Sequence, residues 1–99
     1  MPNPNAVHYS MLCTPRKDGD GKKLASELRK RLNEELNAFA IAVNMSWESY
    51  VRITSCRYLS DGEIKVTFLM DDSLPRRLTE YLYDRADVLD IDIMEAGED

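Results

Sequence analysis

Histidine and cysteine are both scarce in this sequence, which holds one His and two Cys among 99 residues. Cys13 and Cys56 are too far apart for the paired spacing of a zinc site, and two cysteines do not make a disulfide framework. His8 and Cys13 fall on opposite faces of an alternating segment, so they are not predicted to form a nucleophile and base pair. We therefore expect no catalytic residue, no metal site and a reducing, cytoplasmic setting.

Long hydrophobic runs are absent as well. No apolar segment comes near the length of about 20 residues that a membrane-spanning helix needs. Positions 1–5 lack the basic start and the apolar stretch of a signal peptide. The chain is 43% apolar and 31% charged, which is the balance of an ordinary folded domain. We expect one domain over residues 1–99, without membrane contact and with flexible ends at 1–5 and 95–99.

Glycine is limited to four residues, and the one glycine-rich loop matches no nucleotide or cation motif. A phosphate-binding loop that ended at the Gly-Lys of this loop would need Gly at position 16 and Ser or Thr at 23, where the chain has Arg16 and Lys23. A calcium loop that started at Asp18 would close on a carboxylate, but Arg29 stands at that position. The sequence therefore predicts no bound cofactor.

Two clear periodic patterns predict the first strand and the first helix. Residues 6–13 alternate as a strand, with Tyr9 and Met11 on one face. Over residues 22–37, four leucines recur every four residues and form a single apolar stripe, which predicts an amphipathic helix. These leucines are Leu24, Leu28, Leu32 and Leu36.

The segment 38–46 supports two interpretations. Large apolar residues alternate with small or polar ones across it, which is the period of a strand. Phe39 also extends the leucine stripe of the preceding helix, at helical spacing from Leu36. We favour a strand, because the alternation continues as far as Trp47 and because Asn37 can end the helix.

A β-hairpin is predicted over residues 50–70, where two alternating segments flank an Asp-Gly turn. This dipeptide between apolar alternating runs is a strong hairpin signal. Strict alternation places Val51 and Ile53 on one face of the first strand and Cys56 and Tyr58 on the other.

The last third of the sequence predicts a helix followed by a strand. Pro75 suits the first turn of a helix, and a polar residue just before it, such as Ser73, can cap that helix. A final strand is predicted over residues 88–94. Alternation then places Asp90 and Asp92 on its outer face.

The predicted order is strand, helix, two or three strands, helix, strand. This is the split β-α-β order of a ferredoxin-like two-layer sandwich, an α+β fold. We expect two helices packed on one face of an antiparallel sheet of four to five strands, the fifth being the segment 38–46.

Basic residues are scarce in the second part of the chain. Residues 1–58 carry nine Lys/Arg against six Asp/Glu, whereas residues 59–99 carry four against twelve. The acidic residues concentrate near the end: Asp84, Asp87, Asp90, Asp92, Glu95, Glu98 and Asp99. This pattern predicts a non-enzymatic inhibitor or adaptor that docks its acidic C-terminal surface on a basic protein partner, for example one that binds nucleic acid.

Two further sets of residues are candidates for contacts with a binding partner. Exposed aromatic residues with Arg are typical of interface anchors, and the candidates are Trp47, Tyr83 and Arg85. The alternative function is RNA or nucleotide binding by a ferredoxin-like module, through Arg29, Arg31, Arg52, Arg57, Arg76 and Arg77. The net charge of −5 disfavours it, because phosphate affinity comes from Lys and Arg. A free edge strand also invites self-pairing, so a homodimer is a further prediction.

Overall fold

The computed structural model describes residues 6–43 and 50–98, which contain two helices and four strands. The strands are β1 (Ala6–Pro15), β2 (Val51–Tyr58), β3 (Ile64–Asp71) and β4 (Ile91–Glu98). The helices are α1 (Gly21–Ala42), between β1 and β2, and α2 (Pro75–Leu89), between β3 and β4.

The four strands form one antiparallel sheet in the order β2-β3-β1-β4. The central pair is therefore β1 and β3, and the two edges are β2 and β4. Both helices cover the same face of the sheet, α1 beside β2 and α2 beside β4. This arrangement confirms the ferredoxin-like α+β sandwich predicted from the order of the elements. We call the opposite side of the sheet the open face.

The core lies between the sheet and the two helices. Alternate residues of β1 and β3 point into it in matched pairs, such as Tyr9 beside Phe68 and Met11 beside Val66, and all four are almost completely buried. The rings of Tyr9 and Phe68 meet edge to face with centroids 5.7 Å apart. The sequence pattern places Tyr9 and Met11 on the same face of β1, and this face is the buried one.

Helix α1 runs to Ala42, five residues beyond its predicted end at Asn37. The prediction of a strand over 38–46 is therefore wrong for residues 38–42, and residues 44–46 lie outside the described part. Phe39 is completely buried while Ile41 is 81% exposed, which is helical and not strand periodicity. The small residues that alternate with them are alanines, and Ala is the best helix former. The helix propensity of this segment therefore agrees with the leucine stripe, which Phe39 extends.

The predicted hairpin between β2 and β3 is confirmed, with a tight turn that Gly62 makes at a φ of 92°. The backbone N–H of Leu59 donates to the carbonyl oxygen of Glu63 at 2.7 Å, and the N–H of Gly62 donates to that of Leu59 at 3.1 Å. A positive φ is accessible to glycine at little cost, which explains why the Asp-Gly signal works here.

The face prediction for β2 is wrong beyond Ile53, because the strand carries a β-bulge. The pairing register with β3 slips between Ile53 and Ser55, so Thr54 is an extra residue. After the bulge, Cys56 pairs with Val66, an inward residue of β3, and Tyr58 also turns to the helix side. The Cys56 thiol donates to the backbone carbonyl of Ala25 in α1 at 3.3 Å.

Helix α2 begins at Pro75 as predicted, but Ser73 does not cap it. The cap position is Leu74, whose side chain makes no capping hydrogen bond. Asp71 instead accepts hydrogen bonds from the backbone N–H and the hydroxyl of Ser73, at 3.0 and 2.7 Å. This turn, closed by a side chain, leads the chain from β3 into the helix.

The boundary between α2 and the last strand also differs from the prediction. Leu89 ends α2, and Asp90 follows it in the left-handed conformation with a φ of 60°. Asp90 and Asp92 therefore do not share a strand face, since β4 starts only at Ile91. The strand continues to Glu98 and pairs with β1 along this length, so its predicted end at residue 94 is wrong.

Candidate interaction surfaces

The predicted acidic residues lie along one edge of the molecule, on β4, on the adjacent helix α2 and in the turn between them. We call this surface the acidic edge. Its described members are Asp84, Asp87, Asp90, Asp92, Glu95 and Glu98. All except Asp90 are exposed, and Asp99 lies outside the described residues.

The acidic edge extends over both layers of the sandwich. Asp84 and Asp87 lie on the solvent side of α2. On β4, the pairing register with β1 places Asp92 and Glu95 on the open face. The register slips once between them, because β4 has its own bulge, and Glu98 therefore lies across from an inward residue of β1. The carboxylates thus surround the edge and do not form a flat patch.

Arg16, just after β1, joins the two layers of the acidic edge. Its guanidinium donates to Asp87 at 2.7 Å and to Asp92 at 3.0 Å. These hydrogen bonds, first to Asp87 and then to Asp92, raise the pKa of Arg16. Because both carboxylates are more than half exposed, solvent screens the pairs and their contribution to stability is small. Their main effect is to neutralise part of the charge at the turn end of the acidic edge.

Arg85 lies on the side of α2 that faces α1, and it pairs with a residue of the same protein. Its guanidinium makes two hydrogen bonds to the Glu35 carboxylate, at 2.8 and 2.9 Å, and the Tyr81 hydroxyl donates to the same carboxylate at 3.0 Å. The Glu35 side chain is 12% exposed. The Arg85 hydrogen bonds lower the pKa of Glu35. Sequence reasoning names Arg85 as an anchor and misses Glu35, because the two are far apart in the chain.

The elements that carry the acidic edge also expose apolar side chains. Tyr83 and Val88 on α2 are 51% and 49% exposed, and Met94 at the bulge of β4 is 60% exposed. The sequence prediction of an exposed Tyr83 agrees with this placement. Trp47, the other predicted anchor, lies outside the described residues. Exposed apolar side chains thus lie on the same two elements as the carboxylates of the acidic edge.

The six arginines of the alternative function are spread over three elements. Arg29 and Arg31 belong to α1, Arg52 and Arg57 to β2, and Arg76 and Arg77 to α2. Arg31 donates to the carbonyl oxygens of Val88 and Leu89, where it satisfies the end of α2. Arg76 is 3.7 Å from Glu80, one turn along α2. The structure therefore does not bring all six together on one surface.

The open face of the central strands offers a single ring for stacking, the exposed imidazole of His8. Its residues are His8, Ser10 and Leu12 from β1, and Lys65, Thr67 and Leu69 from β3. None of the other five is aromatic, whereas sheets of this architecture that bind RNA stack two or three bases on aromatic residues there.

A groove between α1 and β2 brings together residues that lie far apart in the sequence. It is lined by Lys22, Ala25, Ser26, Arg29, Cys56, Arg57 and Tyr58, and its volume is about 450 Å³. We call it the tyrosine groove. Arg29 and Arg57 are among the predicted nucleic-acid contacts, but sequence reasoning misses Lys22 and Tyr58. Strict alternation places Tyr58 on the wrong face, and the bulge that corrects it has no sequence signature.

The histidine and the buried cysteine, which could act as a base and a nucleophile, lie on opposite faces of β1. His8 is exposed on the open face, whereas Cys13 is fully buried, and burial raises the pKa of its thiol to about 12. Over residues 6–43 and 50–98, no group of three or more His, Cys, Asp or Glu side chains is arranged to hold a metal ion. Neither helix of this part of the chain is both long and apolar enough to cross a membrane.

Comparisons with known proteins report on the fold. No protein-family model matches the chain, and no curated protein matches it. Among solved structures, it is similar to a chain in the crystal structure of AtUAH in complex with glyoxylate, with a TM-score of 0.58 and 8% sequence identity. The match covers 94% of this chain but 26% of that chain, so this protein spans little more than a quarter of its length. A likeness at this identity shows a shared fold alone.

Proposed function

We propose that the protein is a non-enzymatic interaction module, an inhibitor or adaptor, that binds a basic protein partner along its acidic edge. The observation that carries the proposal is β4, an edge strand with three carboxylates and no basic side chain. Asp84 and Asp87 add two exposed charges from α2. We place the interaction in the reducing cytoplasm, in agreement with two free thiols.

An edge strand can take up an additional strand from a partner. Among the described residues no strand pairs with the outer side of β4, so its backbone groups there can form main-chain hydrogen bonds with an added strand, whose side chains at alternate positions reach the carboxylates. The bulge at Met94 interrupts the edge, so a basic segment would pair with one half of β4. Complementary charge would then act mainly on the association rate and on the choice of partner.

The test uses a fluorescein-labelled peptide of alternating Lys and Thr as the probe. Its binding to the full chain is followed by fluorescence anisotropy. Asp84→Lys combined with Glu95→Lys should weaken binding about tenfold or more, because two exposed carboxylates become cations. Arg16→Gln should strengthen binding by roughly threefold, since it removes the cation that neutralises Asp87 and Asp92.

Glu34→Lys is the matched control for Glu95→Lys alone, because each variant reverses the charge of one exposed carboxylate. Equal weakening by this variant would show a general charge effect and would contradict the proposal. So would binding that does not change between about 20 and about 300 mM salt. Sedimentation velocity of the free protein, compared with that of the Asp84→Lys and Glu95→Lys double variant, shows whether the protein forms a dimer that depends on the acidic edge.

A further inference from the structure

The tyrosine groove is a positively charged site on a negatively charged protein. Its lining includes three cations and no carboxylate, although the chain as a whole has a net charge of −5. Among the described residues, no carboxylate forms an ion pair with Lys22, Arg29 or Arg57. These three charges are therefore free to meet an anion that the protein does not itself supply.

Tyr58 forms an aromatic platform at one end of the groove. A Cβ added to Gly21 would lie 2.2 Å from Cδ2 and 2.3 Å from Cε2 of the Tyr58 ring, so the ring packs directly on the glycine backbone. The lack of a side chain at Gly21, the first residue of α1, is what lets the ring lie over the helix. Tyr58 is nevertheless 42% exposed. The ring is thus supported by the backbone of α1, and part of the residue stays accessible to solvent.

Two of the cations are spaced along α1, starting at Lys22, the residue after Gly21. Lys22 and Arg29 are seven residues apart on α1, which is two turns and about 10.5 Å. Ser26 lies between them on the same side of the helix, and its hydroxyl can also donate to an anion. The volume of about 450 Å³ is in the range of small-molecule sites.

We propose that the tyrosine groove binds a nucleoside phosphate, with the base stacked on Tyr58 and the phosphate held between Lys22 and Arg29. Arg57 contributes a third positive charge from β2. A base needs an accessible aromatic ring and a phosphate needs cations, and the lining of this groove combines a partly exposed tyrosine with three cations. Free nucleotides and single-stranded nucleic acids share this chemistry. The site lies at the edge opposite to β4 and is independent of the function proposed above.

The experiment titrates the full chain with AMP and with a single-stranded decamer of adenylate, and follows backbone amide shifts by NMR. Shifts should concentrate at the start of α1 and the end of β2. If the decamer binds at least tenfold more tightly than AMP, with a slope of log K against log salt of about −2, the ligand is a strand. If AMP binds as tightly as the decamer, the ligand is a free nucleotide. Both results support the site.

Variants separate the roles of the ring and of the cations. Tyr58→Leu should weaken binding about tenfold through lost stacking, whereas Tyr58→Phe should retain it. Arg29→Gln should weaken AMP about fivefold and leave adenosine, which has no phosphate, unchanged. Lys30→Gln, an exposed neighbour on α1 that does not line the groove, is the control and should have no effect.

Three outcomes would overturn the proposal. The first is no binding of either probe at about 1 mM, which is the weak limit for a specific small-molecule site. The second is equal weakening by Arg29→Gln and Lys30→Gln. The third is a Tyr58→Phe protein that folds but loses stacking-dependent binding, which would assign the contact to the hydroxyl.

Discussion

The environment of Glu35 lowers its pKa and should make the stability of the protein depend on pH. The carboxylate lies between α1 and α2 and accepts hydrogen bonds from Arg85 and Tyr81, with its side chain only 12% exposed. Hydrogen bonds to a charged, poorly exposed carboxylate contribute more to stability than exposed pairs do. Arg85 thus acts within the fold, where the sequence pattern suggests a contact for a partner.

We expect Glu35→Gln to lower the free energy of unfolding by roughly 1–2 kcal/mol at neutral pH, because the ion pair and part of its hydrogen bonding are lost. The pKa of Glu35 is lowered in the folded protein from its ordinary 4.5, so its stabilising effect is complete well above pH 4.5. It is lost as the pH falls through the lowered value, and there the two proteins should converge. Urea unfolding across this pH range measures the difference.

Glu34→Gln provides the control, since Glu34 is the exposed neighbour on the same helix. It should change stability little and should leave the pH dependence of the protein intact. A Glu35→Gln protein that kept the pH dependence of the wild type would show that the pair with Arg85 does not stabilise the fold.

The elements show where sequence patterns suffice and where they do not. The hairpin is predictable because Asp-Gly imposes its turn locally. The end of α1 is not predictable in this way, because large residues that alternate with alanines are compatible with both a strand and a helix. Packing of Phe39 in the core then selects the helix. The bulges at Thr54 and Met94 each shift a strand by one residue and reverse the faces beyond them, and one extra residue has no sequence signature.

Phe39 and Ile41 distinguish the two interpretations of that segment in solution. In a strand they would share a face, whereas in α1 Phe39 is completely buried and Ile41 is 81% exposed. We expect Phe39→Ala to cost about 3–5 kcal/mol of stability. Ile41→Ala should change it by no more than about 0.5 kcal/mol. Denaturant unfolding of both variants provides the comparison, and similar losses in the two would contradict the helix.

The whole molecule carries opposite charges on the opposite edges of one sheet. β4 carries three carboxylates and no base, while β2 carries Arg52 and Arg57 and no acid. The uneven distribution of charge along the chain can be read from the sequence. The distance between the acidic strand β4 and the basic strand β2 depends on the strand order, which puts them at the two edges. The tyrosine groove could not be predicted, because it requires both this order and the bulge in β2.

We expect the two surfaces to bind independently at physiological salt. Three strand spacings separate the edges by about 14 Å, which exceeds the Debye length of about 8 Å at 0.15 M but not the value of about 30 Å at 0.01 M. Glu95→Lys should therefore leave AMP binding unchanged at about 0.15 M and strengthen it at about 0.01 M. Arg29→Gln should likewise affect peptide binding only at the lower salt. Calorimetric titration at both salt concentrations checks this, and coupling at the higher one would contradict it.

The position of β1 between β3 and β4 also has a consequence for the folding of the sheet. Tyr9 lies across from Phe68 on one side and from Glu98 on the other, so both neighbours of β1 come from distant parts of the chain. The hairpin of β2 and β3 is the one strand pair that closes over a short loop, and short loops cost the least entropy to close. We therefore expect assembly to start from this hairpin and to reach β4 last, with kinetics slower than those of a helical bundle of equal length.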